Sequence, residues 1–140
     1  MKTIQIPEDI PLVCVKASSF PDGVMDAHRK LHSLISHDKP RRNYSVSYMG
    51  RNGEIDYMAG SEIIEAKDNT LPGTEKFTVR KGDYISEPIH NYMQNIPAIG
   101  QTFQQMLKRT DIDPNGYCLE HYLDDKTVVC MVPLEQRGEG

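Results

Sequence analysis

The sequence predicts an α+β domain in which one β-α-β-β module occurs twice. Three observations predict this fold class. Short runs of alternating or continuous apolar residues indicate strands, two stretches show the helical spacing of apolar residues, and the elements follow the same order in both halves of the 140-residue chain. We therefore expect a single domain over residues 1–140, with repeats at about residues 5–65 and 75–134.

The first repeat opens with a strand and a helix. Ile10–Ala17 is an apolar run, and Pro11 places the start of that strand near a sheet edge. Val24–Ile35 follows as an amphipathic helix, with Asp22 as its candidate cap. Ahead of these elements, residues 1–6 are a short lead-in that either pairs as an edge strand or frays.

Two strands complete the first repeat. Asn43–Gly50 alternates large and small side chains, and Ile55–Ile64 returns as its partner. Asn52-Gly53 lies between them and is a strong signal for a hairpin turn. The polar stretch Glu65–Glu75 contains Pro72-Gly73 and is the predicted boundary between the repeats.

The second repeat has the same order. Its helix covers Ile96–Arg109, with Asn95 as the cap and Pro97 in the first turn, where proline is tolerated. Apolar residues recur along that helix at Ile96, Ile99, Phe103, Met106 and Leu107. The predicted strands are Lys76–Arg80, Tyr84–His90, Tyr117–Leu123 and Thr127–Leu134, with a turn at Asp124-Asp125 before the last of them.

Composition excludes several classes of function. A net charge of −4 argues against direct nucleic-acid binding, and no apolar run is long enough to span a membrane. The three cysteines, an odd number, are interpreted as free thiols in a reducing compartment, so we expect a cytoplasmic protein. His28 and His32 share a helix face without a nearby acidic or cysteine ligand, so we expect no metal and no cofactor.

The strand Gly116–Leu123 carries the residue on which the functional hypothesis depends. Side chains alternate faces along a strand, so Leu119 marks the expected core face and Glu120 lies on the other. A carboxylate at that position either meets water or lines a cavity. In a cavity it requires a partner, because an unpaired buried charge is costly.

Alignment of the two repeats suggests what such a cavity contains. Each sheet covers one face with its own helix on the outside, and the other faces then enclose a central ligand cleft. The side chains expected to look into it are small, polar, soft or aromatic: Ser45, Ser47, Met49, Cys118, Glu120 and Tyr122. Further apolar and cation–π surface is expected from Tyr48, Tyr57, Tyr122, Met49 and Met58.

The twofold β-α-β-β order and the strand Gly116–Tyr122, which reads G-Y-x-x-E-x-Y, resemble the GyrI-like superfamily. This superfamily includes the BmrR-type effector-binding domain of multidrug-responsive transcription activators. The resemblance covers about residues 5–134 and implies a pseudo-twofold pair of modules around a cleft. It also implies binding of hydrophobic, often cationic or aromatic small molecules, with Glu120 in the pocket and Tyr122 as the second aromatic residue. The chain resembles the stand-alone members of the superfamily.

Three functions remain open at this point. The first is a multidrug-type sensor or sequestering protein, without chemistry of its own, that is linked to transcription regulation. The second is a hydrolase that opens strained cyclopropane rings, with Glu120 as general base and Tyr122 stabilising the developing charge. The third is a module that binds a protein partner, as a gyrase inhibitor does.

Overall fold

The computed structural model describes residues 1–50 and 53–136. This part of the chain contains eight strands and two α-helices, which confirms the α+β class. The strands are β1 (Lys2–Ile6), β2 (Ile10–Lys16), β3 (Asn43–Met49), β4 (Ile55–Glu62), β5 (Glu75–Val79), β6 (Gly82–His90), β7 (Cys118–Tyr122) and β8 (Thr127–Pro133). The α-helices are α1 (Val24–Leu34) and α2 (Pro97–Met106), and short 3-10 turns cover Ala66–Thr70 and Tyr92–Gln94.

The turn between β3 and β4 is described in part. Gly53 has a φ of 81°, in the left-handed region where glycine is favoured. Asn52, the other residue of the predicted hairpin signal, lies outside the described residues.

The chain divides into two compact units. The first unit is Asp9–Val79, and the second consists of Met1–Glu8 together with the chain from Arg80 onward. The division falls after β5, not within the polar stretch of residues 65–75. The reason is that β5 pairs with β2, from Ile10 opposite Val79 to Cys14 opposite Glu75. In the same way the lead-in strand β1 pairs with β6, so β1 joins the second unit and β5 joins the first.

The first unit has the antiparallel strand order β3-β4-β2-β5. Helix α1 covers one face, where Ala27 and Leu31 pack on β2 and β4. Strand β2 therefore has a neighbour on each side, and the expected edge position for Pro11 is wrong. Proline is tolerated at this position because it lies at the start of the strand, where its missing N–H is not needed. Its carbonyl oxygen accepts a hydrogen bond from the Ile63 N–H at 2.9 Å.

The connection after β4 is held to the first unit by a buried ion pair. The Arg41 side chain is 3% exposed and the Asp68 side chain 1%. Arg41 donates to both Asp68 carboxylate oxygens, at 2.7 and 3.3 Å, and Asp68 also accepts the backbone N–H groups of Ile64 and Glu65. Because these donors satisfy the buried carboxylate, this polar segment packs closely although it contributes little apolar surface.

The second unit has the antiparallel strand order β1-β6-β8-β7. Helix α2 covers one face, where Phe103 and Met106 pack on buried residues of β6 and β8. The predicted apolar stripe is wrong at its ends: Ile96 is 50% exposed and Leu107 53% exposed. Both residues are the cap positions at the two ends of α2, whose buried positions are Phe103 and Met106.

Neither predicted helix cap is present. The N-cap positions are Gly23 and Ile96, not Asp22 and Asn95, and no side chain bonds the first turn of either helix. At α1 the loop folds tightly beneath Gly23, where a Cβ would lie 2.8 Å from the Ser19 carbonyl oxygen. The predicted position of Pro97 in the first turn of α2 is confirmed.

Candidate functional site

Glu120 lies at the middle of β7 and is 8% exposed. Its neighbour Leu119 is 0% exposed, so both faces of this strand are covered. A surface carboxylate would keep most of its area in water. Glu120 is instead a buried acidic group, which is rare and requires compensating interactions.

The face of β7 that carries Glu120 is the face that carries α2. Glu120 pairs directly with Cys130, and Tyr122 pairs with Val128. Directly opposed residues of antiparallel strands point to the same face, and both β8 residues belong to the core beneath α2. The expectation that this face points away from the helix is therefore wrong. Cys118 and Tyr122 pack against the same core.

Tyr122 stabilises the Glu120 carboxylate directly. Its hydroxyl donates a hydrogen bond to Glu120 Oε1 at 2.9 Å, which the spacing of two residues along one strand face permits. A hydrogen bond to a charged group is stronger than one between neutral groups. The arrangement holds an oriented carboxylate beside a phenol, a pair that can bind a cation or transfer a proton.

The thiols around Glu120 are unreactive. Burial, reinforced by the Glu120 charge, raises the pKa of Cys118 to about 11 and that of Cys130 to about 12. Both remain protonated at neutral pH, and thiols in this form are poor nucleophiles and poor metal ligands. All three cysteines of the chain are free, which confirms the prediction of free thiols.

Tyr92 is a residue of this site that sequence reasoning missed. Its ring centroid lies 5.9 Å from that of Tyr122, at an interplanar angle of 51°. Burial raises the Tyr92 pKa, and the charges of Asp125, Glu120 and Asp124 add to the effect. The signal available in the sequence was an aromatic residue just before a helix in both repeats, Phe20 in the first and Tyr92 in the second.

Three exposed apolar side chains lie close in sequence to Tyr92 and Tyr122. Met93 is 60% exposed, Ile96 50% and Leu123 55%. They flank the 3-10 turn that carries Tyr92 and the end of β7. Exposed apolar side chains are typical of surfaces that contact a ligand or a partner.

The site residues predicted in the first unit lie on two faces. Ser47 pairs with Tyr57 and Met49 with Ile55, which places them on the α1 side. Tyr48 and Met58 lie on the opposite face, where Met58 is 4% exposed and Tyr48 39%. The structure therefore brings Ser47, Met49 and Tyr57 onto one surface and separates Tyr48 and Met58 from it.

Tyr57 is the centre of an aromatic group in the first unit. It is 3% exposed, and its hydroxyl lies 2.9 Å from His28 Nε2. Phe20 packs against it, with ring centroids 5.7 Å apart. Tyr57 thus fills the core beneath α1, and Phe20 covers its outer side.

The histidines of the α1 region form a row. Ring centroids are 6.5 Å apart for His28 and His32, and 5.9 Å apart for His32 and His37. Across residues 1–50 and 53–136, no three His, Cys, Asp or Glu side chains converge in a way that could hold a metal ion. No helix in these same ranges is long and apolar enough to cross a bilayer.

Two small cavities lie away from Glu120. One of about 60 Å³ is bordered by Arg80, Tyr84 and Asp113, and one of about 90 Å³ by His37 and Arg41 among others. Both are well below the roughly 300 Å³ that a drug-sized ligand requires. They are large enough for water, and neither is bordered by Glu120.

Comparison with known proteins shows a shared fold without a shared sequence family. No sequence family and no curated protein matches the chain. An integron cassette protein from the mobile metagenome of Vibrio cholerae aligns with a TM-score of 0.72, at 15% identity over 96% of this chain and 95% of that one. SAV2435 bound to tetraphenylphosphonium aligns with a TM-score of 0.63, at 11% identity over 96% and 93%.

A hydrolase from Listeria innocua is also similar, with a TM-score of 0.61, 10% identity, and coverage of 96% of this chain and 90% of that chain. These neighbours are compatible with the GyrI-like fold implied by the sequence resemblance. At such low identity they show the fold alone, and membership of the superfamily stays a prediction.

Proposed function

We propose that the protein binds small hydrophobic cations at Glu120 and acts as a cytoplasmic sensor or sequestering module. The observation that carries the proposal is a carboxylate 8% exposed, held by the hydroxyl of a tyrosine whose own ring packs against a second tyrosine ring. A bound cation would neutralise the buried charge, and the rings would supply cation–π attraction. Tyr122 and Cys118 line the same face of β7, and the unit's exposed apolar residues would contact the ligand's hydrophobic part.

Two structural neighbours support this function. SAV2435 has the same fold and binds tetraphenylphosphonium, a hydrophobic cation. A protein from Staphylococcus aureus described as a putative bacterial transcription regulation protein, 10% identical with a TM-score of 0.60 over 96% of this chain and 97% of that one, favours a role in transcription regulation. We infer that the occupied state is read by a protein partner, since the net charge of −4 disfavours direct contact with nucleic acid.

The test is to replace Glu120 by Gln and compare two ligands of similar shape. Tetraphenylphosphonium carries the charge, and triphenylphosphine oxide is neutral. We expect Glu120→Gln to weaken the cation by at least about tenfold, or about 1.4 kcal/mol, and the neutral compound by less than about threefold. Isothermal titration calorimetry measures both affinities.

Glu8→Gln is the matched control, because it makes the same change of charge at an exposed residue of the same unit. It should leave both affinities unchanged. If Glu120→Gln weakens the two ligands equally, the charge-pairing proposal is wrong. If wild type binds neither ligand, the binding function itself is wrong.

The alternative is a hydrolase acting on strained cyclopropane rings. The hydrogen bond between Tyr122 and Glu120 favours it, and so does the fold shared with the Listeria innocua hydrolase. Glu120 would take a proton from water as the new C–O bond forms and the strained C–C bond breaks. Tyr122 would donate its proton to the electron pair released from that bond. Turnover that disappears in Glu120→Gln while binding survives would support this alternative, and undiminished turnover would exclude it.

A further inference from the structure

We propose that Tyr92 is the specificity-determining residue of the Glu120 site. Its ring selects cations that carry aromatic groups over aliphatic cations of the same charge. This inference rests on the proposed function and deepens it, because it assigns ligand selectivity to one side chain that the strand motif does not contain.

The backbone fixes the position of Tyr92. Its N–H donates to the Lys126 carbonyl oxygen at 3.1 Å, which ties the 3-10 turn Tyr92–Gln94 to the turn between β7 and β8. Asn91 before it has a φ of 54°, a left-handed conformation that reverses the chain at the end of β6. These two features direct the Tyr92 ring toward β7, where it meets Tyr122.

Tyr122 connects the Tyr92 ring to Glu120. Tyr122 contacts Glu120 through its hydroxyl at 2.9 Å and Tyr92 through its ring at 5.9 Å. The Glu120 charge also raises the Tyr92 pKa, so the electric field of the carboxylate extends to this phenol. A cation is attracted by an aromatic face within about 6 Å, and aromatic rings pair at centroid separations of about 4.5–7 Å.

The core of the second unit does not fully enclose Tyr92. The ring is half-buried at the margin of the cluster beneath α2, whereas Phe103 and Met106 fill its centre. Its sequence neighbour Met93 is 60% exposed. Tyr92 therefore keeps ring surface available to a ligand.

The first unit has an aromatic pair of its own, between the loop before α1 and strand β4, without the charge. Phe20 precedes α1 as Tyr92 precedes α2, and it packs on Tyr57 with ring centroids 5.7 Å apart. On aligned strands, however, the position of Glu120 is taken by Ser47. The loop before each helix thus places an aromatic ring on a tyrosine, and in the second unit that pair adjoins a buried carboxylate.

The experiment compares tetraphenylphosphonium with tetrabutylphosphonium, which has the same charge and aliphatic arms. Binding is measured by calorimetry for wild type, Tyr92→Leu and Tyr92→Phe. We expect Tyr92→Leu to weaken tetraphenylphosphonium by roughly fivefold to tenfold and tetrabutylphosphonium by less than about twofold. Tyr92→Phe keeps the ring and should keep the wild-type selectivity.

If Tyr92→Leu weakens the two cations by the same factor, so that the ratio of their affinities is unchanged, the inference is wrong and the proposed function is unaffected. Glu120→Gln tests the proposed function separately: if this variant binds both cations more weakly than wild type does, the proposed function holds whatever Tyr92→Leu shows. A second measurement, made on wild type, tests the inference even if Tyr92→Leu does not fold. On wild type, the NMR signals of the Tyr92 ring should shift more on addition of tetraphenylphosphonium than of tetrabutylphosphonium, and equal shifts would contradict the assignment.

Discussion

At the scale of single residues, the second unit has a buried carboxylate at a strand position where an apolar side chain is usual. Glu120 is directly paired with the fully buried Cys130 and is bonded by the Tyr122 hydroxyl. A buried carboxylate is stable when hydrogen-bond donors satisfy it, and removal of a donor leaves part of its desolvation cost uncompensated. The Tyr122 hydroxyl is therefore expected to contribute to stability even without ligand.

Tyr122→Phe tests this contribution. The substitution removes the 2.9 Å hydrogen bond to Glu120 and keeps the ring, so we expect a loss of about 1–3 kcal/mol in the free energy of unfolding. Urea denaturation followed by circular dichroism measures it. Tyr48→Phe is the control, because Tyr48 is 39% exposed and its variant should change stability by less than about 0.5 kcal/mol. Equal effects of the two substitutions would show that the Tyr122 bond contributes nothing.

At the scale of elements, α1 is a short helix with few buried residues. Ala27 and Leu31 are its buried positions, and the first turn has no side-chain cap. His28 adds a contact on its flank, through Nε2 at 2.9 Å from the Tyr57 hydroxyl. Burial, with the neighbouring His32, lowers the His28 pKa to about 4. Protonation of His28 therefore opposes the packing of α1 on β4.

The sign of the resulting pH dependence follows from that shift. The folded pKa of about 4 is below the usual value of 6.5, so the unfolded chain binds the proton first as pH falls. The packing of His28 thus favours the folded state fully above pH 6.5, and this advantage is lost as pH falls toward 4. We expect His28→Gln to reduce the stability loss between pH 7 and pH 4 by on the order of 2 kcal/mol.

Urea denaturation of wild type and His28→Gln at several pH values measures this difference. Helix α2 has no histidine and serves as an internal reference in hydrogen exchange. Exchange should increase more in α1 than in α2 on acidification, after correction for the intrinsic rate. A variant with the same pH dependence as wild type would contradict the assignment to His28.

At the scale of the whole molecule, the α+β class and the order of the elements were the features that sequence predicted best. Strands and helices are indicated by local patterns of apolar residues, so the order of the elements and the α+β fold class could be predicted from the sequence. The partners of β1 and β5 were not, because the pattern of Glu75–Val79 indicates a strand without specifying the strand it pairs with. That choice depends on long-range pairing, which local periodicity does not encode.

The site was predictable to a similar degree. Alternation correctly grouped Cys118, Glu120 and Tyr122, but it could not tell which face carries the helix, since apolar neighbours flank both faces of β7. Tyr92 was missed because a single aromatic residue in a turn has no periodicity. Its position depends on the backbone bond to Lys126, a contact between segments far apart in the chain.

Ligand-induced stabilisation is the whole-molecule consequence of the proposed function. A ligand that binds the folded state and not the unfolded chain raises the free energy of unfolding by mass action, by about 2.7 kcal/mol at a free concentration one hundred times the dissociation constant. Tetraphenylphosphonium should therefore raise the unfolding temperature of wild type in a concentration-dependent manner. The increase should be smaller for Glu120→Gln at equal concentrations and unchanged for Glu8→Gln, because only the first removes the buried charge.

Hydrogen exchange of wild type should slow in β7 and at the start of α2, where the ligand is expected. Stabilisation of the same size in Glu120→Gln, or slower exchange confined to segments away from β7, would mean that this cation binds somewhere other than beside Glu120.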